Sequence, residues 1–316
     1  MDNQSIKRKY KKAKMKEFLP AYLLIIPVML FYILICYVPM FGIVIAFKEY
    51  NIMSLQDSIL AAPWAGGNGF GNFTNFLQDT EFMNSLRNTL IISALKIVIC
   101  FPMPVVLALL LNELSGHFFK RSIQTVLYLP RFISWVIVGG FVFSMLSANS
   151  GMLNSLLQKC FGLEENINFM YEEKYFVGIV IVTEIWKSAG WSSIIYVAAL
   201  AAVNQELYEA AKIDGANKFE QVLHISLPGI KATVILMFTL ALSGILNAGF
   251  DQIFVLYNPT VYSVGDIIDT FVYRRGLANG YYDFATAVGL VKSVIGVGII
   301  IAVDKFLKKI GERGVI

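Results

Sequence analysis

Charged residues are scarce in this chain of 316 residues, since Asp, Glu, Lys and Arg make up 15% and the formal net charge is +4. A protein that binds nucleic acid through a basic surface carries far more positive charge, so that class is excluded. There are only two histidines and three cysteines (Cys36, Cys100 and Cys160). No pair of them has metal-ligand spacing, and an odd number of cysteines argues against a disulfide framework. We therefore expect no metal site in this chain.

Motifs of nucleotide-binding and hydrolytic enzymes are also missing. The chain contains no G-x-x-x-x-G-K-[S/T] loop, so it is not itself an ATPase. It contains no H-E-x-x-H or G-x-S-x-G motif, and no histidine falls in an apolar run. A membrane-embedded enzyme is therefore not indicated, and we predict that the chain is not an enzyme.

Apolar residues are abundant instead, at 57% of the chain against roughly 45–50% in soluble proteins. They fall into runs that reach the roughly 20 residues needed to cross a bilayer. The first run follows a basic segment but is too long for a signal peptide, so we expect it to be a retained helix. The pattern predicts an all-α, multi-pass membrane protein with about six spans: 19–47, 88–114, 122–147, 175–203, 229–249 and 283–305.

Basic residues are concentrated at the two ends of the chain and in two connections. The amino-terminal arm has seven of them before residue 17, and the tail has four from residue 305 onward. The positive-inside rule places such segments in the cytoplasm, so both termini are predicted to be cytoplasmic. The expected organisation is a basic arm (1–18), a single transmembrane domain (19–305) and a tail (306–316).

The most polar part of the second half is the connection 204–228, on the predicted cytoplasmic side. Good helix formers run from Gln205 to Asp214, and Gly215 can end that helix in a left-handed conformation. Asn217 and Glu220 have capping-box spacing for a second helix. The sequence therefore predicts two short helices joined by a glycine turn, outside the bilayer.

The same connection contains the pattern EAA, three residues, G, nine residues, I-x-LP, which is formed by Glu209, Ala210, Ala211, Gly215, Ile225, Leu227 and Pro228. With this pattern the chain resembles the permease subunits of bacterial ABC importers, of the type I fold. The resemblance implies that the first short helix docks in a groove on a separate ATPase, where Glu209 and Asp214 can meet basic groups. The alternative is an amphipathic loop that touches only its own chain.

Further segments are similar to the branch of that family that handles complex oligosaccharides and polysaccharides. They are Tyr37–Met40, Ile45–Lys48, Asn88–Leu90, Phe119–Arg121, Leu129–Trp135, Gly249–Gln252, Asp266–Thr270 and Tyr273–Arg274. The resemblance implies a bacterial plasma-membrane location, a second homologous permease, two cytoplasmic ATPases that bind ATP and Mg²⁺, and an extracellular sugar-binding protein. No cofactor is expected in this chain.

Ionisable residues within spans are candidates for function. Glu184 and Lys187 share a helix face, which favours a pair between them. Lys96, Arg131 and Lys292 have no acid nearby in sequence, so they either line an aqueous path or pair with the second permease. The expected substrate path consists of aromatic and polar residues that suit sugars: Arg131, Trp135, Trp186, Lys187, Trp191, Tyr196, Asn247, Asp251 and Gln252. For each of these, packing, interface anchoring or helix–helix bonding is the alternative.

The charge of the sugar stays open at this point. Several bases along the path would favour an acidic oligosaccharide, whereas six carboxylates in the outer loops oppose it. The other transport mechanism to consider is an ion-driven secondary transporter. That class predicts internal repeats and intramembrane acids, but no repeat is apparent and Glu184 is the one central acid.

Overall fold

The structure is a computed structural model that describes residues 18–51, 59, 61–114, 116–162 and 165–309. No β-strand occurs within these ranges, and one isolated bridge joins Lys48 to Trp64. The predicted arm and the end of the predicted tail lie outside the described residues.

The helices of the described residues follow one another along the chain. In chain order they are α1 (Leu19–Phe47), α2 (Gly71–Gln78), α3 (Thr80–Glu113), α4 (His117–Tyr128, extended by a 3₁₀ turn at Leu129–Phe132), α5 (Trp135–Leu146), α6 (Met152–Phe161), α7 (Glu173–Ala201), α8 (Gln205–Ile213), α9 (Lys218–Gly229), α10 (Lys231–Ser243), α11 (Phe250–Leu256), α12 (Tyr262–Gly265), α13 (Ile268–Phe271) and α14 (Tyr282–Lys309). Single π-helical turns interrupt α1, α3 and α9 at Ile33–Tyr37, Lys96–Cys100 and Val222–Ser226.

Three of the described helices, α1, α3 and α14, are long and apolar enough to cross a membrane. Two bent pairs, α4 with α5 and α9 with α10, raise that number to five if each pair is one span. The remaining predicted segment, 175–203, forms the 29-residue helix α7, which carries Glu184 and Lys187 in its middle. Each of the six predicted runs is therefore helical.

The predicted spans 122–147 and 229–249 are not continuous helices. The first bends by 98° between α4 and α5, where Ser134 leaves the helix and caps α5 by accepting from the Ile137 N–H at 3.3 Å. The second bends by 62° before α10, which ends at Ser243 and is followed by a non-helical turn through Gly249. Gly249 has φ +98°, a conformation that a residue with a Cβ rarely adopts.

A short helix forms at Met152–Phe161, and the connection between α1 and α2 contains glycine turns. In that loop Gly66, Gly67 and Gly69 all have positive φ. The second predicted span begins earlier than expected, at Thr80. Asp79 caps it by accepting from the N–H groups of Glu81 and Phe82 at 2.8 and 3.4 Å.

Helix α1 has no buried residue between Leu19 and Tyr32, although it is apolar on every face. An all-apolar helix that is not covered by its own chain fits a lipid or subunit contact. The interior lies elsewhere: α3 packs along α7 through Val105, Ala108, Tyr196 and Leu200. A second cluster, which includes Phe76, Phe82 and Phe271, joins α2, α3 and α13 to α14.

Close packing of α7 against α4 depends on Gly190. A Cβ at this position would lie 2.1 Å from the Leu127 carbonyl oxygen, which is backbone and cannot move aside. We expect Gly190→Ala to lower the free energy of unfolding by about 1–3 kcal/mol, because it overpacks this contact.

Gly178→Ala on the same helix is the matched control, since nothing lies within 4 Å of its Cβ position. Thermal unfolding of the two detergent-purified variants and the parent checks the expectation. Equal midpoints for Gly190→Ala and Gly178→Ala would contradict it.

Candidate functional site

The predicted cytoplasmic connection begins with a capped helix. The Asn204 side chain accepts from the Glu206 N–H at 3.0 Å and caps α8. At the other end the Ala216 N–H donates to Ala211 at 2.8 Å and the Gly215 N–H to Lys212 at 3.2 Å. This pair of bonds is a Schellman motif, with Gly215 at φ +84° as its left-handed residue. The predicted glycine end of the helix is confirmed.

The second helix of the connection is capped as predicted. The Asn217 side chain accepts from the Glu220 N–H at 3.0 Å, and the Glu220 carboxylate accepts from the Asn217 N–H at 2.7 Å. Two further bonds hold the helices together: the hydroxyls of Tyr208 and Ser226 are 2.9 Å apart, and Gln221 donates to the Ala216 carbonyl at 2.9 Å. The two helices and their turn are therefore one internally braced unit, called the coupling loop below (residues 204–229).

The coupling loop exposes large apolar side chains among its polar ones. The exposed fractions are 86% for Ile213, 73% for Phe219 and 52% for Leu207. The predicted docking residues Glu209, Ala210, Asp214, Gly215, Leu227 and Pro228 are also exposed, and Ala211 is half-buried. Contiguous exposed apolar residues mark interaction surfaces.

The coupling loop is fastened to the apolar helices at two places. Lys218 forms an ion pair with Glu113 at the end of α3, with 2.6 Å between Nζ and Oε2. Next to α10, Ile230 is fully buried in the cluster that α3 and α7 share. These contacts connect the coupling loop and the residue that follows it to α3, α7 and α10.

A cavity of about 720 Å³ lies between α3, α7 and α10. Its polar lining residues are Ser93, Lys96, Glu184, Ser188, Ser192, Tyr196 and Asn247, and Trp191 forms part of the same wall. Most of the remaining lining is aliphatic. A large cleft with a few polar groups among apolar ones is typical of small-molecule sites.

Lys96 joins three elements at one side of this cavity. Its ammonium donates to Gln252 Oε1 at 2.6 Å, to the Ala248 carbonyl at 2.7 Å and to Glu184 Oε2 at 3.3 Å. Gln252 in turn donates to the Val180 carbonyl at 2.7 Å. All three N–H groups of the Lys96 ammonium thus donate a hydrogen bond. One of them goes to the Ala248 carbonyl, which lies in the turn before α11.

Lys187 has a corresponding role at the other break. It is 4% exposed and donates to the carbonyls of Pro130 and Arg131 at 3.3 and 3.1 Å, and to that of Ile133. These carbonyls end the helical segment before the 98° bend, where a helix carries partial negative charge. The predicted pair between Glu184 and Lys187 is wrong, since Glu184 binds Lys96 and Lys187 faces the break.

The residues predicted to line a substrate path separate into four groups. Trp191, Tyr196 and Asn247 line the cavity. Gln252 lies behind its wall and holds Lys96.

Three more residues surround the break: Lys187 itself, Arg131 through its backbone carbonyl, and Trp135, whose ring centroid is 5.3 Å from the Lys187 Nζ. Trp186 is 51% exposed and, like Asp251, lies outside the cavity lining.

Sequence reasoning missed Ser93, Ser188 and Ser192 as cavity residues. The four-residue spacing of Glu184, Ser188, Ser192 and Tyr196 is the signal that would have found two of them. Of the unassigned bases, Lys292 pairs with Asp269 at 2.5 Å. A pair with the second permease is not needed to explain it.

Three of the branch-like segments meet in one buried polar cluster. Asn88 donates to the carbonyls of Ser263 and Asp266 at 3.0 and 3.1 Å, and Thr89 accepts from the Ile268 N–H at 2.9 Å. Arg274 pairs with Asp266 at 2.7 Å. These segments therefore stabilise the packing of α3 against α12 and α13.

Comparison with known proteins gives consistent matches. The family described as "Binding-protein-dependent transport system inner membrane component" matches residues 100–311. Protein LplB of Bacillus subtilis (strain 168) is 40% identical over 293 residues, 93% of this chain and 90% of LplB. The polygalacturonan/rhamnogalacturonan transport system permease protein YteP of the same organism is 40% identical over 313 residues, 97% and 95% of the two chains.

A chain in the crystal structure of a bacterial ABC transporter that imports the acidic polysaccharide alginate is similar as well. Its TM-score is 0.86 at 35% identity, with 96% of this chain and 99% of that chain covered. This likeness confirms the predicted all-α permease fold.

The contacts of Lys187 lead to a stability prediction. Lys187→Met would leave buried carbonyls at the break without donors, at about 1–3 kcal/mol for each unpaired group. We expect a clear fall in the thermal midpoint and in the yield of purified protein. Lys159→Met, the same change at an exposed lysine of α6, is the control. If both variants unfold at the parent's temperature, the capping role of Lys187 is refuted.

Proposed function

Because this chain belongs to the family of binding-protein-dependent transport system inner membrane components, we propose that it is the permease subunit through which an oligosaccharide derived from a polysaccharide enters the cell. The family consists of transport components of the inner membrane, which agrees with the apolar helices described above. The names of YteP and of the alginate transporter support a polysaccharide-derived substrate. A family that depends on binding proteins disfavours the ion-driven alternative.

The observation that carries the proposal is the coupling loop. Its two helices are fixed to each other, it exposes the large apolar side chains of Leu207, Ile213 and Phe219, and its inner side is tied to α3, α7 and α10. A cytoplasmic ATPase that binds this surface has a direct connection to the helices around the cavity. We infer that Glu209, Ala210, Ala211, Asp214, Gly215, Leu227 and Pro228 belong to the docking surface.

The proposed cycle uses that connection. Two ATPase subunits bind ATP and Mg²⁺ and close against each other, and the coupling loop moves with them. The cavity then opens outward to receive the sugar from an extracellular binding protein, and hydrolysis returns it to the inward-facing state. The uncovered apolar surface of α1 supports contact with lipid and with a second, homologous permease. Both termini and the coupling loop lie in the cytoplasm in this arrangement.

The substrate path in this proposal is the cavity between α3, α7 and α10. Trp191 and Tyr196 offer aromatic surface to sugar rings, and Asn247 offers an amide. Arg131, Trp135, Lys187 and Gln252 support the path from behind rather than lining it. Trp186 and Asp251 have no described contact with the cavity and are not assigned to the path.

The test is co-purification of the tagged chain in mild detergent, with partners identified by mass spectrometry. We expect a second multi-pass permease and an ATPase that carries a G-x-x-x-x-G-K-[S/T] loop. Ile213→Glu should lower ATPase recovery by at least about tenfold, because it places a charge at the centre of an apolar contact. Gly215→Pro should do the same, since it removes the N–H that donates to Lys212.

Phe161→Glu, at an exposed residue of α6 on the predicted outer side, is the matched control and should leave ATPase recovery unchanged. The second permease should remain with all three variants. If Ile213→Glu and Gly215→Pro both recover as much ATPase as the parent chain does, docking at the coupling loop is refuted.

A further inference from the structure

A polar stripe runs along α7 on the side that faces the cavity. Glu184, Ser188, Ser192 and Tyr196 follow one another at intervals of four residues, and all four line the cavity. At 1.5 Å per residue the stripe extends for about 18 Å along the helix. It begins beside Lys96 and ends five residues before the Ala201 end of α7, next to the coupling loop.

The stripe carries three hydroxyl groups. Those of Ser188, Ser192 and Tyr196 line the cavity and make no hydrogen bond to any residue in the described ranges. On the opposite wall Ser93 is 4% exposed, and its hydroxyl oxygen has no hydrogen-bond partner in the described part of the chain. An unpaired buried hydroxyl is unfavourable by about 1–3 kcal/mol, and a bound molecule or water supplies such a missing bond.

The cavity wall carries no net charge. Among its lining residues only Lys96 and Glu184 are ionisable as base and acid, and they pair with each other at 3.3 Å. Lys96 has used its three donors on Glu184, Ala248 and Gln252. Glu184 Oε1 accepts no hydrogen bond from the part of the chain that the structure describes, so it is available as an acceptor.

From these observations we infer that the stripe is a hydroxyl-binding track for the transported oligosaccharide, made charge-neutral by the Lys96–Glu184 pair. The inference rests on the proposed import of a sugar. Serine and tyrosine hydroxyls both donate and accept, as sugar hydroxyls do, and Glu184 accepts from them. A carboxylate on the sugar finds no free donor on Lys96, whose positive charge Glu184 already balances. This chain therefore holds the hydroxyl face, and any carboxylates of an acidic substrate face the other permease.

The charge of the track can be measured with cysteine labelling in membranes that contain the complete transporter. Cys36, Cys100 and Cys160 are first replaced by alanine, because Cys100 itself lines the cavity. Ser188→Cys and Ser192→Cys are then reacted with an anionic and a cationic methanethiosulfonate, each rate being divided by that with free cysteine. Val182→Cys, which is 66% exposed but off the cavity, is the control.

We expect both track positions to react, at anionic and cationic rates within about threefold of each other, and Val182→Cys to react at least tenfold more slowly. Adding Glu184→Gln should raise the anionic rate relative to the cationic rate at Ser188→Cys by about fivefold, the effect of removing one unit charge within roughly 8 Å. The change should be smaller at Ser192→Cys, which lies about 12 Å along the helix from Glu184. Glu184→Asp should leave the ratio unchanged. Unreactive track positions, or a ratio that Glu184→Gln does not change, would overturn the inference.

Sugar uptake by the same membranes separates this inference from the proposed function. Ser188→Ala combined with Ser192→Ala should lower oligosaccharide uptake at least fivefold while ATPase recovery stays constant. Ser122→Ala with Ser293→Ala is the matched control, because both serines bond to carbonyls of their own helices at 3.0 and 2.8 Å. Uptake that the track variant does not reduce would refute the track alone. Absence of uptake in the parent would instead refute the import function.

Discussion

A backbone carbonyl that leaves its helix in an apolar environment has no water to bind, and much of this structure follows from how such carbonyls are satisfied. Inside two of the predicted spans the backbone leaves its helix, after α4 and after α10. A lysine from a neighbouring helix reaches each break: Lys187 at the first and Lys96 at the second. The breaks permit the cavity and the bends, and the lysines make the breaks stable. Lys96 and Lys187, which lie within predicted spans, therefore have a structural role that does not depend on transport.

Helix α7 connects the two ends of the proposed mechanism. Lys187, in the middle of α7, binds the first break, and Glu184 pairs with Lys96, which binds the second. The inner face of α7 lines the cavity, and its end lies just before the coupling loop. One helix thus contributes to the cavity lining and to both breaks, and it leads into the coupling loop. In the proposed mechanism it is the element that connects the coupling loop to the cavity.

Features set by short-range sequence were predictable, and features set by long-range contacts were not. The Gly215 turn and the capping box of Asn217 and Glu220 involve residues only a few positions apart, so the sequence was enough to predict them. The partner of Glu184 is 88 residues away, and the nearby Lys187 was a misleading alternative. The breaks escaped prediction because apolar composition continues through them, while the groups that stabilise them lie on other helices.

The contact between Gly190 and the Leu127 carbonyl bears on stiffness. With no side chain between them, α7 and α4 touch backbone to backbone, and there is no rotamer in the contact that could yield. Lys187 clamps the end of the same helix pair one turn away. The separation of the two helices at this contact is therefore fixed by their backbones. In the proposed cycle we expect α4 and α7 to move together as one rigid unit.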